Sequence, residues 1–409
     1  MAEVEKPESG GNGNNKIMEL TTQVNTFIII FITLLIASLF FLSSKFFRSY
    51  LSLKRIEIYM SHELKQMSIY DLTHPKGVDF NTLYLRDFYI ASAYRPYVCY
   101  YHKYDYVSLE IFKKILQAGP RMVELEIFNS NYGDDVEPIV SIGEEKGEWT
   151  YTLNTIHLNK FLKIIAGAVF NSDNKVGNDP FILYLNLKTN KNVKCLNKIH
   201  KYLYNELGGY LLSSHYSYNA KNRNDIVNIT MGNCRGKILI FAKGDFENTN
   251  LEELINYSTN SNYTMKYLNK QRRILYVNQR DIVDTEEDIE DYVNAEHHKL
   301  AIKDLNEYNK YSFTILSPET GTDSLFDGIS PINHPPSRGL ESGSQFIMMN
   351  YQKIDTNMSN YMYIFKDSSF ILKKDYKNSD VPDITYKLEK DKDVKYNQSE
   401  LNYHYVISK

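Results

Sequence analysis

The sequence predicts a parallel α/β fold carried behind a single membrane-spanning helix. Three observations lead there. Short apolar or β-branched runs alternate with amphipathic helical patterns between about Ser68 and Tyr376. The alternations are too many for one half of a dinucleotide-binding fold. Ahead of them, no residue from Leu20 to Ser44 is charged.

Taken in chain order, residues 1–19 carry Gly10-Gly11-Asn12-Gly13-Asn14-Asn15 and read as a flexible polar tail. Residues 20–44 follow, with Phe27–Phe41 almost continuously Ile, Leu and Phe. A run of this kind exceeds the roughly 20 residues a helix needs to cross the hydrocarbon core. The preceding tail is acidic at Glu3, Glu5 and Glu8, and Ser43-Ser44-Lys45 makes a poor cleavage context, so a retained anchor is favoured over a cleaved signal. Lys45, Arg48, Lys54 and Arg55 follow the span closely, against Lys6 and Lys16 before it. The positive-inside rule then puts the carboxy-terminal body in the cytosol. The sequons at Asn228 and Asn262 point the other way, but chance sequons are expected in an Asn-rich chain. Residues 45–67 read as a juxtamembrane helix or stalk, with Leu51, Leu53, Ile56, Ile58 and Met60 giving partial amphipathicity.

Within the body, Phe88–Ser92, Met122–Ile127, Pro138–Ser141, Phe181–Leu187 and Lys237–Phe241 have the short apolar character of buried parallel strands. Ser108–Ala118, Leu158–Phe170 and Val193–Leu207 have helical spacing, and Gly119 stands where a helix C′ glycine is expected. The acidic run Asp281–Asp291 reads as a solvated loop or helix face.

Bulk properties exclude more than they assert. A formal net charge of -3 with both signs interspersed gives no reason to expect nucleic acid. Cys99, Cys195 and Cys234 are odd in number and far apart, which argues against both a disulfide framework and a zinc site. Abundant Tyr, Asn, Lys and Ile beside a single Trp suit an AT-rich genome such as that of a large DNA virus or a parasite.

Three segments have a cadence of their own. They are Tyr89-Ile90-Ala91-Ser92-Ala93-Tyr94-Arg95-Pro96-Tyr97, Arg121-Met122-Val123-Glu124-Leu125-Glu126, and Glu137-Pro138-Ile139-Val140-Ser141-Ile142-Gly143. Together they resemble the X half of the phosphoinositide-specific phospholipase C barrel, whose segments read F-I-S-S-S-H-N-T-Y, R-x-V-E-L-D and E-P-x-x-x-H-G. Arg235–Ile240 resembles the strand that closes that half, and Leu254–Tyr257 the strand that opens the Y half. Thr322-Asp323-Ser324, Gly343–Gln352 and Ser369–Lys374 follow in the family's order. The resemblance implies a TIM-type (β/α)8 barrel over residues 68–376, with an X-like half at 68–244, a Y-like half at 251–376 and an acidic insertion near 281–291. A tail at 377–409 remains, too short for the family's β-sandwich lipid-binding module.

The resemblance also says where chemistry should sit, and there the chain departs from the family. The two histidine positions are Tyr94 and Ile142, neither of which suits proton transfer near neutrality. The calcium-binding asparagine position is Arg95 and the last carboxylate position is Asn186, while Glu124 and Glu126 keep carboxylates. Of the headgroup-binding lysines, one position is Phe241 and the other is kept as Lys243, and the Y-half arginine expected near Thr314-Ile315-Leu316 has no basic counterpart. His102, His157, His200, His215 and His334 lie outside the aligned strand ends and are expected on the surface or in loops. An Arg95 pair with Glu124 or Glu126 would neutralise a disused metal site.

The expectation is therefore a membrane-anchored phospholipase C-like pseudoenzyme, inactive and serving as a binding or structural protein, held to the bilayer through residues 20–44. A phosphoinositide or protein partner is expected at the barrel mouth and no cofactor is expected. One alternative is a divergent phosphodiesterase, calcium entering only if some such enzyme reading holds. Another is a non-catalytic phosphoinositide-binding module.

Overall fold

The computed structural model describes residues 11–63, 66–72, 79–100, 102–130, 136–144, 150–171, 176–218, 226–260, 273–284, 300–318 and 331–376. The amino-terminal part is one helix, α1 (Gly11–Glu63). No glycine or proline occurs between Asn14 and Glu63, so nothing in that stretch interrupts the i→i−4 ladder. The expected flexible tail is corrected, since residues 11–19 are helical, while residues 45–63 continue the same helix as a juxtamembrane helix would and Met67 lies outside it. Extending an existing helix adds a hydrogen bond per residue without a new nucleus, which outweighs the poor propensity of Gly11–Asn15. Within α1, Met18–Ser44 is predominantly apolar, with Glu19 its one charged residue, and its most apolar stretch is not buried by protein. It is long enough to cross a bilayer, a length and composition that a signal sequence shares.

The body is a barrel. Its eight staves are β1 (Phe88–Ala93), β2 (Met122–Asn129), β3 (Phe181–Lys188), β4 (Ile238–Lys243), β5 (Tyr257–Asn260), β6 (Arg273–Asn278), β7 (Thr314–Ser317) and β8 (Phe346–Met349). Each pairs in parallel with the next, and β8 pairs in parallel with β1, closing the ring. The weakest seam is between β1 and β2, which pair only at Ser92–Met122 and Ala93–Val123. Beneath those two pairs a short antiparallel strand, Phe370–Leu372, lies against Phe88–Ile90 and fills the seam. Between the first staves run α2 (Leu109–Gln117), α3 (Leu158–Val169) and α4 (Val193–Leu207). Ser108 caps α2 by accepting from the Ile111 amide, Asn192 caps α4 by accepting from the Cys195 amide, and Gly119 takes φ +95° just after α2.

Strand alternation sorts the core into two shells. Phe88, Ile90, Met122, Ile182, Leu239 and Met348 fill the lumen, while Tyr89, Ala91, Val123, Leu183 and Ile240 face the helices. The lumen centre is aromatic: Phe241, Tyr257, Phe313 and Phe346 stand 5.7–6.1 Å apart between centroids. At the floor, Gln345 ties three segments together. Its Nε2 donates to the carbonyls of Arg86, Asn309 and Ser312, and its Oε1 accepts from the Thr314 amide.

Three further expectations need correction. Pro138–Val140 is a strand, yet it pairs antiparallel with β2 outside the ring and with Ile156–His157 beyond it. Its apolar side chains are buried beneath α3 and α4, which imitates a stave in the sequence. Leu254–Tyr257 is not a strand; a 3-10 turn at Asn250–Glu253 leads into β5, which starts at Tyr257. In the acidic run, Ile282–Val283 is a buried two-residue strand paired with Leu300–Ala301. Residues 285–291 of that run, Thr322-Asp323-Ser324 and the 377–409 tail lie outside the described residues.

Replacing Phe241 removes the ring that touches three of the lumen aromatics. Phe241→Ala is expected to destabilise the barrel by about 3–5 kcal/mol in chemical denaturation, the range for a buried phenylalanine.

Candidate functional site

The carboxy-terminal ends of parallel staves form the mouth of such a barrel, and the residue spacing decides what faces it. Side chains two apart on a strand share a face. Glu124 and Glu126 of β2 therefore project on the lumen side with Met122, as do Tyr184, Asn186 and Lys188 of β3. Register then places Glu126 beside Asn186 and Asn186 beside Lys243.

Glu126 is the centre of the arrangement. Its Oε1 pairs with the Arg95 guanidinium, and its Oε2 lies 3.1 Å from the Lys188 ammonium. Asn186 Nδ2 donates to Glu124 Oε1 at 3.1 Å and to Glu126 Oε1 at 3.4 Å, bridging the two carboxylates. Lys188 also donates to the Gly143 carbonyl at 2.6 Å. That bond ties the mouth to the segment carrying Ile142, which is packed into the outer core. Side-chain exposure is 12% for Arg95, 6% for Lys188 and 0% for Glu126, so water screens these pairs little.

The two glutamates are driven in opposite directions. Burial pushes Glu126 up, but Arg95 and Lys188 outweigh it and hold the carboxyl below its ordinary value. Burial likewise raises Glu124; Arg95 opposes this, the Glu126 charge adds to it, and the carboxyl reaches about 7. Lys188 is lowered, chiefly by burial, with Glu126 opposing.

Arg95 is held in an unusual backbone state, at φ +42°. A side chain there costs on the order of 1–2 kcal/mol outside glycine or asparagine. Its carbonyl accepts from the Tyr97 amide at 2.8 Å and from Gln352 Nε2 at 2.7 Å, which fixes the turn. The guanidinium also lies 4.7 Å from the Tyr94 ring centroid. Tyr94 is buried and its hydroxyl pushed well up, first by that burial, so it cannot serve as a base near neutrality.

His102 lies in a loop, as expected, but on the buried side of it. It is buried, stacked on Tyr94 at 5.6 Å, with Arg95 Nη1 donating to its Nδ1 at 3.3 Å. Because arginine only donates, Nδ1 accepts and the ring is neutral with its proton on Nε2. Burial and then Arg95 hold it far below the ordinary histidine value. The remaining candidates are dispersed. His157 and His200 face Glu137 and Glu253 outside the mouth, and His215 is exposed. Lys243 stands at the rim, its ammonium 5.4 Å from the Tyr276 centroid, and Phe241 belongs to the lumen plug. Lys188 and Gln352 were missed in the sequence. For Lys188 a signal existed: it lies two residues beyond Asn186 and must share its face.

The chemistry available is charge compensation. A calcium ion needs six to eight oxygen ligands. Here the carboxylate nearest the centre is already paired with two side-chain cations, and Asn186 presents its amide nitrogen to both glutamates. That donor set does not fit the ion. The fold and this remodelled mouth define a (β/α)8 barrel whose strand ends carry an internal salt-bridge cluster.

Residues 82–244 match the phosphatidylinositol-specific phospholipase C X domain. That match covers the amino-terminal half of the barrel. Among solved structures it is similar to PLC21 of L. pealei, at TM-score 0.55 and 20% identity over 74% of this chain, and to PLC21 of S. officinalis, at 0.54 and 20% over 74%. The chain spans 39% of the length of either. No curated protein matches.

The cluster makes two substitutions differ sharply. Glu126→Gln leaves two buried cations uncompensated and is expected to cost about 3–5 kcal/mol. Glu124→Gln acts through pH instead. A carboxyl raised from 4.5 to about 7 on folding contributes stability that is full below 4.5 and is lost as pH rises through 7. The stability difference between Glu124→Gln and the native chain is therefore expected to shift in favour of the variant from pH 4.5 to 7 and then level, read as midpoints of denaturant unfolding across that range.

Proposed function

We propose that this chain is a membrane-anchored phospholipase C-like barrel without phospholipase turnover, acting as a binding or structural protein at a membrane. The observation that carries the reading is the Arg95–Glu126–Lys188 cluster in the place where the family binds its metal. Phosphodiester cleavage needs a proton acceptor and a proton donor at the reacting oxygens. Tyr94 is buried with its hydroxyl raised, Ile142 has no titratable group, and His102 already accepts from Arg95. The apolar span at Met18–Ser44 and the basic residues following it support an anchor with the barrel in the cytosol. The composition fits a large DNA virus, in which case the membrane is that of a virion or an infected host.

One observation favours a divergent, calcium-independent phosphodiesterase. Glu124 reaches about 7, and its Oε2, Arg95 Nε and His102 Nε2 are buried without hydrogen-bond partners among the described residues. A carboxyl titrating there is suited to acid–base work. Full chain in lipid nanodiscs containing phosphatidylinositol and its phosphates, with and without calcium, separates the two. No release of inositol phosphate above background is expected. Release that disappears in Glu124→Gln would overturn the pseudoenzyme reading.

A further inference from the structure

The outer face of the barrel is charged unevenly. Across α2, α3 and α4 there are seven lysines and two glutamates, a net +5, in a chain whose total is -3. Helix α3 packs between the other two and carries no acidic residue. Lys198 pairs with Glu137, and His200 of the same helix with Glu253, whereas Lys113 and Lys163 stand exposed on α2 and α3. There a groove of about 600 Å³ runs between the two helices. Leu116, Ile164 and Ala168 give it an apolar lining, and Lys113 and Lys163 stand exposed on it.

The position of this groove on the barrel matters as much as its charge. It lies toward the carboxy-terminal ends of α2 and α3, lined there by Gln117, Gly167 and Asn171. Gly119, two residues past Gln117, is where the chain arriving from the amino-terminal helix reaches the barrel floor. The Gln66 carboxamide occupies the space a Cβ on Gly119 would take. Gln66 Nε2 donates to the Phe365 carbonyl at 2.8 Å, and the Met67 amide to the Asp367 carbonyl at 3.0 Å. Ser68 and Ile69 both donate to Asp179. Residues 66–69 are thus fixed to the same end of the barrel as the groove.

We propose that the α2–α3 groove and its lysines are a docking surface for anionic phospholipid, supplied by the leaflet into which the chain's own tether runs. An apolar trough rimmed by lysine ammonium groups matches lipid chemistry, with phosphate and carboxylate at the headgroup and methylenes beneath. The proposal rests on the anchor reading, and the barrel mouth takes no part in it.

The test uses full chain in nanodiscs with an environment-sensitive fluorophore on Gly167→Cys. Nothing lies within 4 Å of a Cβ at Gly167, and the native thiols Cys99, Cys195 and Cys234 are buried, so labelling is directed to the groove. The probes are discs of phosphatidylcholine alone and discs containing phosphatidylserine. Blue-shifted emission, quenched by lipid-borne nitroxide, is expected only with phosphatidylserine. It should vanish at about 0.5 M salt and weaken about fivefold for each of Lys113→Glu and Lys163→Glu. Equal emission in both discs, or emission unchanged in the double variant, overturns the proposal. Failure to enter either disc would instead sink the anchor reading. The same label read on added phosphatidylserine vesicles then still decides whether the groove binds lipid.

Discussion

A carboxylate buried to the last atom cannot stay ionised inside a protein unless something of opposite charge meets it. Glu126 is such a group, and the mouth of this barrel is arranged around satisfying it. Arg95 reaches it from the loop after β1 and Lys188 from the end of β3, while Asn186 turns its amide toward both glutamates. The rest follows from those contacts. The left-handed backbone at Arg95 is tolerable because the guanidinium has a partner and Gln352 holds its carbonyl. Tyr94 lies against that guanidinium, His102 stacks on Tyr94 and accepts from Arg95, and the Gly143 segment is tied down through Lys188.

Neutralisation from within has a consequence for Glu124. The cations are nearer to Glu126, so the second carboxyl is left with burial and a neighbouring negative charge, and it titrates near neutral pH. Two identical side chains on one strand face thus differ because of their distance from Arg95 and Lys188. The cluster balances buried charge with side chains already present in the fold.

Much of the barrel was legible in the sequence because parallel staves are buried on both faces and read as continuous apolar runs. Phe88–Ala93, Met122–Asn129 and Phe181–Lys188 stand where those runs stand. The same signal misleads at Pro138–Val140, since burial under helices and burial within the ring leave one pattern. The Arg95–Glu126 contact was foreseeable from a cation and two carboxylates at aligned strand ends. Lys188 carries the same signal, since period two places it on the face of Asn186. The burial of His102 could not be read locally, because it arises when a loop folds over Tyr94. Helix α1 ran longer at its amino end than its composition suggested, since extension of a helix costs less than its nucleation.

Barrel floor and mouth divide the labour. The floor holds Gln345, the tether residues and the seam-filling strand, all serving closure and attachment. The mouth holds the charge cluster. Whether that cluster stands in for a metal is decided most directly by calcium titration calorimetry on the full chain, beside Glu126→Gln. No saturable heat is expected from the native chain, because Arg95 and Lys188 already occupy the carboxylate. Saturable calcium binding to the native chain that is lost in Glu126→Gln would contradict the account.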